Sequence, residues 1–185
     1  MSARGSCPLV AASTALATSA WLAQTRRVDR AEERVFRSVN DAPGWLHAPV
    51  WGVMQAGSLG AVFVVAGMLR SRENDAAPRV LLAGTAAWCG AKFLKPLVGR
   101  GRPEEYLDNV IVRGSHQSGL GFPSGHAAVA TTLALVAAPS SGPRRVGAVV
   151  GALTTGVARL YVGAHLPLDV VGGLASGVII ATAAT

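Results

Sequence analysis

The sequence predicts an all-α protein: a bundle of six transmembrane helices, with an interfacial amphipathic helix after the first span. Half of the 185 residues are hydrophobic, and the mean hydropathy is +0.38. Several apolar stretches reach or approach the roughly 20 residues that a spanning helix needs. The net charge of +7 would suggest nucleic-acid binding in a soluble chain. Here the basic residues lie between apolar stretches, where Arg and Lys usually face headgroups or cytoplasm, so nucleic acid is excluded.

The six apolar stretches form one predicted domain over residues 1–185. They are Pro8–Gln24, Pro49–Leu69, Val80–Val98, Pro123–Pro139, Val146–Ala164 and Leu166–Ala184. Several are short and rich in small residues, which let spanning helices approach closely. The pairs Gly147/Gly151 and Gly173/Gly177 have the spacing typical of such helix contacts.

The first stretch has a second interpretation. Arg4 precedes it, and Ala15 and Ala17 provide small residues where a signal peptidase could cleave. The sequence therefore leaves open whether this stretch is a span or a cleaved signal peptide.

The segment Thr25–Asn40 is predicted to be an amphipathic helix in the membrane interface. Val28, Val35 and Val39 recur at helical spacing, and most of the remaining surface is basic. The basic residues are Arg26, Arg27, Arg30, Arg34 and Arg37. A solvated, charged linker is the alternative interpretation.

Ionisable residues within or beside the spans are predicted to meet at one face of the membrane. Lys95 lies toward the end of the third span and His126 at the start of the fourth. Arg159 lies near the end of the fifth span and Asp169 near the start of the sixth. His165 lies in the turn between the last two spans. The end of one span and the start of the next share a face, and two further crossings return to it. Because intramembrane charges are costly, this convergence predicts a functional site.

The residue types at this face are those of an anion site. Lys95 and Arg102 are cations, and Pro103 stiffens the chain after Arg102. Ser124 and Gly125 open a helix whose free amides can bind an anion. We expect the longest connection, which runs between residues 99 and 122, to take part, since long loops in compact proteins are often functional.

The second half of the site contains the groups for proton and phosphoryl transfer. Asp169 follows His165 by four residues, a helical spacing that allows the carboxylate to accept the imidazole N–H. With three cations and His126, this pattern predicts phosphoryl transfer. The cations would hold the negative oxygens of the phosphate while one side chain acts as nucleophile and another as general acid.

These residues resemble three motifs of the type-2 phosphatidic acid phosphatase and vanadium haloperoxidase superfamily. The motifs are Lys-x6-Arg-Pro, Pro-Ser-Gly-His and Ser-Arg-x5-His-x3-Asp. In that order, the matching positions are Lys95, Arg102 and Pro103; Pro123 to His126; and Arg159, His165 and Asp169. Ala158 stands where the third motif has Ser. The motif-bearing part is 92–172.

The resemblance implies a role for each matching residue. His165 is the expected nucleophile, oriented by Asp169, and His126 is the expected general acid. The residues expected to bind the phosphate are Lys95, Arg102, Ser124, Gly125 and Arg159. Arg100 matches no motif position and is a candidate extra phosphate ligand. The family's phosphatases use no metal, so no metal or other cofactor is expected.

The function implied by the resemblance is hydrolysis of a lipid phosphomonoester or diphosphate through a phosphohistidine. Candidate substrates are a polyprenyl diphosphate or phosphate, phosphatidylglycerophosphate and phosphatidate. The alternatives are a polyprenyl phosphosugar phosphate as substrate, or a catalytically impaired lipid-binding relative, given Ala158. A haloperoxidase shares the anion pocket but is typically soluble, and a transporter would not require these motifs.

The resemblance also implies a multi-pass protein of the cell membrane, with the lipid and the bilayer as its partners. Basic residues divide too evenly between the two faces for the positive-inside rule to fix the orientation. The habit of the family favours an active site on the outer, extracytoplasmic face.

Overall fold

The computed structural model describes residues 3–25 and 27–184, and all regular secondary structure within them is helical. The helices are α1 (Ala3–Gln24), α2 (Arg30–Asn40), α3 (His47–Met54), α4 (Leu59–Arg70), α5 (Ala76–Val98), α6 (Gly125–Val136), α7 (Pro143–Tyr161) and α8 (Pro167–Ala183). Short 3-10 turns cover Gly44–Leu46, Gln55–Gly57 and Pro103–Glu105. The prediction of an all-α fold is confirmed, whereas the number of membrane spans stays a prediction.

Helix α6 forms the centre of the bundle. It contacts α4, α5, α7 and α8, while α1 packs along α8. The residues of α6 from Ala127 to Ala134 are all buried, and most are Ala, Val or Thr. Such small side chains allow neighbouring helices to surround α6 on every side. The first turn of α6 therefore lies at the centre of one end of the bundle.

The second predicted span is not one straight helix. Gly44–Gly57 and Leu59–Arg70 form a pair bent by 67°. The helix is interrupted at Ser58, which caps the N-terminus of α4. The Ser58 hydroxyl accepts the Ala61 N–H at 3.2 Å. Gly57 lies so close to the His126 carbonyl that a Cβ would not fit there.

Measured by length and apolar character, this bent pair is the one candidate for crossing a membrane in the described ranges 3–25 and 27–184. No individual helix in those ranges meets both requirements.

The small-residue predictions have different outcomes. At Gly177, a Cβ would lie 2.6 Å from the Ala128 carbonyl oxygen, and one at Gly173 would collide with the Ser124 carbonyl. This pair therefore allows α8 to approach α6, as predicted. The prediction for Gly147 and Gly151 is wrong, because a Cβ at either position would meet open space. Spacing alone cannot show which face of a helix has a neighbour.

The predicted amphipathic helix is shorter than expected, and of the three predicted valines Val28 and Val39 pack partly against the core whereas Val35 does not. The helix begins at Arg30 because the Asp29 carboxylate caps it, accepting two backbone amides at 2.8 Å each. Its buried residues are Glu32, Phe36 and Asn40, whereas Val35 is 50% exposed. Arg26 lies outside the described residues. The spacing of four between the buried residues follows one helical stripe, which the valine pattern did not identify.

Candidate active site

Three helix ends and the long loop meet at the end of the bundle where α6 begins. Lys95, near the end of α5, donates to the carbonyls of Leu120 and Gly121 at 2.6 and 3.0 Å. One guanidinium nitrogen of Arg102, Nη1, lies 3.1 Å from Nε2 of His165. These contacts join the long loop to the end of α5 and to the turn before α8, so Lys95, Arg102 and His165 lie at the same end of the bundle.

The first turn of α6 is tied directly to the first turn of α8. The Ser124 N–H donates to the Asp169 carbonyl at 2.8 Å. Ser124 is fully buried and is the N-cap of α6, its hydroxyl accepting the Ala127 N–H at 3.5 Å. Gly125 and His126 follow as the first two helical residues. Amides in a first helical turn have no intrahelical acceptor, so this end of α6 can bind an anion.

His165 and Asp169 adjoin each other, but not because they share a helix. His165 lies in the turn before α8, and Asp169 is in the first turn of α8. The Asp169 Oδ2 atom accepts the Leu166 N–H at 2.9 Å and lies 3.4 Å from Nδ1 of His165. The contact follows from helix capping, because the carboxylate turns back to the N-terminus of α8 and meets the imidazole there.

Arg102 is held in place by several backbone groups. Its Nη1 donates to the Ala164 carbonyl at 2.7 Å, and its Nε donates to the Gly119 carbonyl at 3.0 Å. The Arg102 N–H donates to the Glu105 carboxylate at 2.9 Å. Burial lowers the pKa of Arg102, while the charges of Asp169 and Glu105 act in the opposite direction. Arginine remains protonated in proteins, so Arg102 is a fixed positive charge beside His165.

Arg159 is a buried cation with few polar contacts. It is 4% exposed, and its Nη1 lies 2.8 Å from the Met54 sulfur. Its Nε is buried and makes no hydrogen bond to any described residue. Buried polar groups are ordinarily hydrogen-bonded. The Nε of Arg100 is unpaired as well, but the terminal nitrogens of Arg100 contact carboxylates, whereas those of Arg159 contact none among the described residues.

A small cavity lies on the arginine side of the site. Its volume is about 70 Å³, and both Arg102 and Arg159 line it, together with Trp51 and Met54 from the bent second stretch. The bend therefore places side chains of α3 beside the two arginines. His126 interacts electrostatically with the same two arginines and is half-buried at the start of α6.

Arg100 does not have the predicted position. It is fully buried, and its two terminal nitrogens donate to the Glu32 carboxylate at 3.0 and 2.6 Å. Its Nη1 also lies 3.4 Å from Oδ1 of Asp169. Burial would lower the pKa of Arg100, but the hydrogen bond to Glu32 and the charges of Asp169 and Glu32 raise it. Arg100 therefore faces carboxylates and is not positioned as a phosphate ligand.

Glu32 belongs to the site region, although the sequence pattern did not identify it. It is buried, at 7% exposure, and accepts the Leu168 N–H at 3.0 Å in addition to its contacts with Arg100. Its spacing of four from Phe36 is the only local signal. The surrounding charges predict the opposite, an exposed side chain, because a glutamate between arginines is typical of a solvated helix face.

Ala158, which replaces the motif serine, lies in an apolar environment. It is 2% exposed and packs in a cluster with Met54, Tyr161 and Val162. The side chain at this position therefore supports Met54, which in turn contacts Arg159.

Gly121 gives a first test of how closely the loop approaches Asp169. A Cβ at this position would lie 2.9 Å from Oδ2 of Asp169 and 2.5 Å from the Gly101 carbonyl oxygen. We expect Gly121→Ala to destabilise the protein by about 1–3 kcal/mol, as other overpacked interiors are. Thermal unfolding in detergent measures the effect.

The matched control is Gly147→Ala, which adds the same methyl group to an exposed helical position with open space around it. We expect this control to leave the unfolding midpoint unchanged or raise it, since Ala is favoured over Gly in helices by about 1 kcal/mol. Equal midpoints for the two variants would contradict the close approach.

Two curated relatives are each similar to a little under half of the chain. A lipid A 4'-phosphatase of Bacteroides thetaiotaomicron is 39% identical over 92 residues, covering 46% of this chain and 41% of the relative. A lipid A 1-phosphatase of Rhizobium johnstonii is 34% identical over 91 residues, covering 47% of this chain and 37% of the relative. The chain thus spans about two fifths of the length of these relatives.

Two crystal structures share the fold over most of their length. LpxE of Aquifex aeolicus matches with a TM-score of 0.74 and 25% identity, covering 82% of this chain and 92% of that one. A transmembrane PAP2-type phosphatidylglycerolphosphate phosphatase of Bacillus subtilis matches with a TM-score of 0.73 and 23% identity, covering 94% and 93%. The helix arrangement described above is therefore one that solved proteins adopt.

The family model described as the PAP2 superfamily matches residues 76–185. This match includes more than half of the chain and every motif position between Lys95 and Asp169. The order of the motifs and their convergence at one end of the bundle agree with it. On this evidence, the chain belongs to the PAP2 superfamily.

Proposed function

We propose that this protein is a membrane-bound, metal-independent lipid phosphatase that acts through a phosphohistidine on His165. One observation carries the proposal: the buried His165 lies between a carboxylate and a guanidinium, although its Nδ1 makes no hydrogen bond to any described residue. Nδ1 lies 3.4 Å from Asp169, and Nε2 lies 3.1 Å from Arg102. A nucleophile that is oriented by a carboxylate and placed beside a cation is suited to attack an anionic phosphate.

We propose Nε2 of His165 as the attacking atom. Nδ1 is the ring nitrogen nearer Asp169, and Nε2 is the one directed toward Arg102. Nε2 would bond to phosphorus as the bond from phosphorus to the lipid oxygen breaks. His126 is proposed to protonate that leaving oxygen, and water would then release phosphate from His165. Asp169 stabilises the positive charge on the imidazole throughout.

The cations and the first turn of α6 are proposed to hold the phosphate oxygens. These residues are Lys95, Arg102, Ser124, Gly125 and Arg159. Fixed positive charges and free amides stabilise the charge that develops in the transition state, and they need no reorganisation when the reaction occurs. The unpaired Nε of Arg159 supports this assignment.

Large apolar side chains on the outside of the bundle support a membrane setting. Phe63, Val64 and Met68 on α4 are 56–61% exposed, and Phe93 and Leu97 on α5 are 73% and 61% exposed. Extensive exposed apolar surface is a mark of contact with a membrane or a partner. With α3 and α4 counted as one broken span, the helices give the six crossings that we propose. We further propose that the site faces the extracytoplasmic side.

The comparisons add a substrate candidate to the polyprenyl and glycerolipid phosphates. Relatives with 34–39% identity are named lipid A phosphatases. We therefore propose a sugar-based lipid phosphate as a second candidate substrate. Lipid A and a polyprenyl phosphosugar phosphate both belong to this class.

Phosphate release from a panel of lipid phosphates tests the proposed function. We expect purified protein in detergent to release phosphate from at least one lipid of the panel, and to retain this activity in millimolar EDTA. Protein cations and helix amides occupy the roles of a metal here, which is the reason for the expectation. Orthovanadate should inhibit, because it adopts the five-coordinate geometry of the transition state.

The His165→Ala protein, purified in the same way, measures contaminating phosphatase. Activity that disappears in EDTA and returns with magnesium would contradict the metal-independent mechanism. Absence of phosphate release from every lipid of the panel would contradict the proposed function itself.

A further inference from the structure

A buried ion network connects α2 to the catalytic carboxylate. Arg100 lies between Glu32 and Asp169, and all three side chains are at most 6% exposed. Glu32 also accepts the Leu168 N–H at 3.0 Å, which places it against the first turn of α8. The proposed chemistry at His165 does not require Glu32 or Arg100 to touch the substrate.

The two oxygens of Asp169 have separate partners. Oδ2 accepts the Leu166 N–H at 2.9 Å and faces His165. Oδ1 faces Arg100 at 3.4 Å. The orientation of the carboxylate plane, and therefore its alignment with the imidazole, depends on Arg100 remaining where it is.

Glu32 holds the Arg100 side chain in position. It takes both terminal nitrogens of the guanidinium, at 3.0 and 2.6 Å, whereas Asp169 receives one long contact of 3.4 Å. A two-point contact between a guanidinium and a carboxylate fixes the geometry more strongly than a single point does. If Glu32 were neutral, the full charge of Arg100 would draw the Asp169 carboxylate away from His165.

Burial makes each member of the network depend on the others. A buried charge without a partner is strongly unfavourable, and two buried carboxylates without Arg100 would repel each other. The charged or titratable groups that face Asp169 are Arg100, Glu32, His165 and Arg102, together with Lys95 from α5. The network therefore influences the charge as well as the direction of the carboxylate.

Helix α2 is also attached to the site region by contacts that do not involve Glu32. Asn40, fully buried, donates to the carbonyls of Ile111, Leu160 and Tyr161 at 2.9–3.2 Å and accepts the Ile111 N–H at 2.9 Å. Phe36 is buried against Leu160, Leu166 and Val170. A substitution at Glu32 can therefore change the network while these contacts still hold the helix.

We propose that Glu32 and Arg100 are positioning residues that act on the reaction through Asp169, which makes α2 part of the catalytic apparatus. This inference rests on the proposed function of His165 and Asp169. It assigns to an N-terminal helix, outside the three motifs, control over the alignment of the nucleophile.

A double-mutant cycle between Glu32 and Asp169 tests the inference. We expect Glu32→Gln to lower kcat on the order of tenfold, with KM changed less than about twofold, because alignment is impaired while phosphate binding is not. In the Asp169→Asn protein the same substitution should change kcat by less than about twofold, since the group through which Glu32 acts is already neutral.

Glu33→Gln is the matched control, because Glu33 is the next residue of the same helix and the polar partner of its carboxylate among the described residues is the partly exposed Arg37, at 3.4 Å. It should leave kcat unchanged in both backgrounds. A tenfold loss from Glu32→Gln in both backgrounds would show a general structural role and overturn the inference. Unchanged kcat in Glu32→Gln would overturn it as well.

Thermal unfolding of the four proteins of the cycle separates this inference from the proposed function. If no lipid phosphate is hydrolysed by the wild type, the proposed function fails, and the unfolding midpoints still decide the coupling. A midpoint shift from Glu32→Gln that differs between the wild-type and Asp169→Asn backgrounds supports the network, and equal shifts overturn it. If Glu32→Gln does not fold, Glu32→Asp replaces it in the cycle with the same criteria.

Discussion

His165→Ala is expected to abolish turnover, with kcat/KM falling on the order of 10⁴-fold or more, as when the nucleophile of a catalytic unit is removed. The reason is that no described residue near Arg102 other than His165 presents a nucleophilic nitrogen paired with a buried carboxylate. Phosphate release from the best lipid of the substrate panel measures the loss, with KM recorded separately.

Asp169→Asn should give a smaller loss than His165→Ala. An amide can still accept the Leu166 N–H but cannot stabilise the imidazolium as a carboxylate does. The control is His116→Ala, because His116 is exposed on the long loop and contacts only Glu104 among described residues, at 3.3 Å. Activity of His165→Ala equal to that of His116→Ala would exclude the proposed mechanism.

His126→Ala is expected to slow the reaction according to the leaving group of the substrate. A lipid alcohol is a poor leaving group and needs a proton as its bond to phosphorus breaks. A nitrophenolate leaves without one. The loss should therefore be about 10²–10⁴-fold on the lipid phosphate, the usual contribution of general acid catalysis, and much smaller on nitrophenyl phosphate. Parallel assays of one protein preparation on both substrates give the ratio.

Position supports this assignment of His126. It is the second residue of α6, beside the amides proposed to hold the phosphate, and the charges of Arg159 and Arg102 act on it. Equal losses on the two substrates would mean that His126 binds phosphate or shapes the site and does not donate a proton. Wild-type KM for both substrates would support the acid role further.

The place of the site could be predicted because it depends on counting crossings. Lys95, His126, Arg159 and Asp169 each lie at the end or the start of an apolar stretch, and the order of these stretches determines which ends share a face. The structure brings the same residues together at one end of the bundle. The order of the apolar stretches does not change when the end of a helix moves by a few residues, so the same face is predicted with the helix boundaries of the structure.

Other parts of the fold depend on contacts that are distant in the sequence. The bend at Gln55–Gly57 arises where Gly57 meets His126 and Thr155, and an apolar stretch does not show such a contact in advance. The inward face of α2 carries Glu32 and Asn40, which hydropathy assigns to the outside. Their partners lie about 70 to 140 positions away in the chain.

Arg100 shows how residue type alone can mislead. Next to a phosphate motif, an arginine is a reasonable candidate ligand, and only its neighbours decide otherwise. In the structure it is enclosed by Glu32 and Asp169. The motif arginine two residues later, Arg102, faces His165 instead. Two cations close together in sequence thus face opposite sides of the same carboxylate and histidine pair.

Trapping the covalent intermediate tests the central claim, phosphoryl transfer through His165, most directly. Protein mixed briefly with radiolabelled lipid phosphate is quenched in alkali, digested and mapped by mass spectrometry. We expect label that is stable to base and labile to acid on the peptide containing His165. The same peptide from His165→Ala should carry none, and His116→Ala should label as the wild type does. Turnover of the lipid phosphate without label on His165, or with label on another residue, would contradict the account.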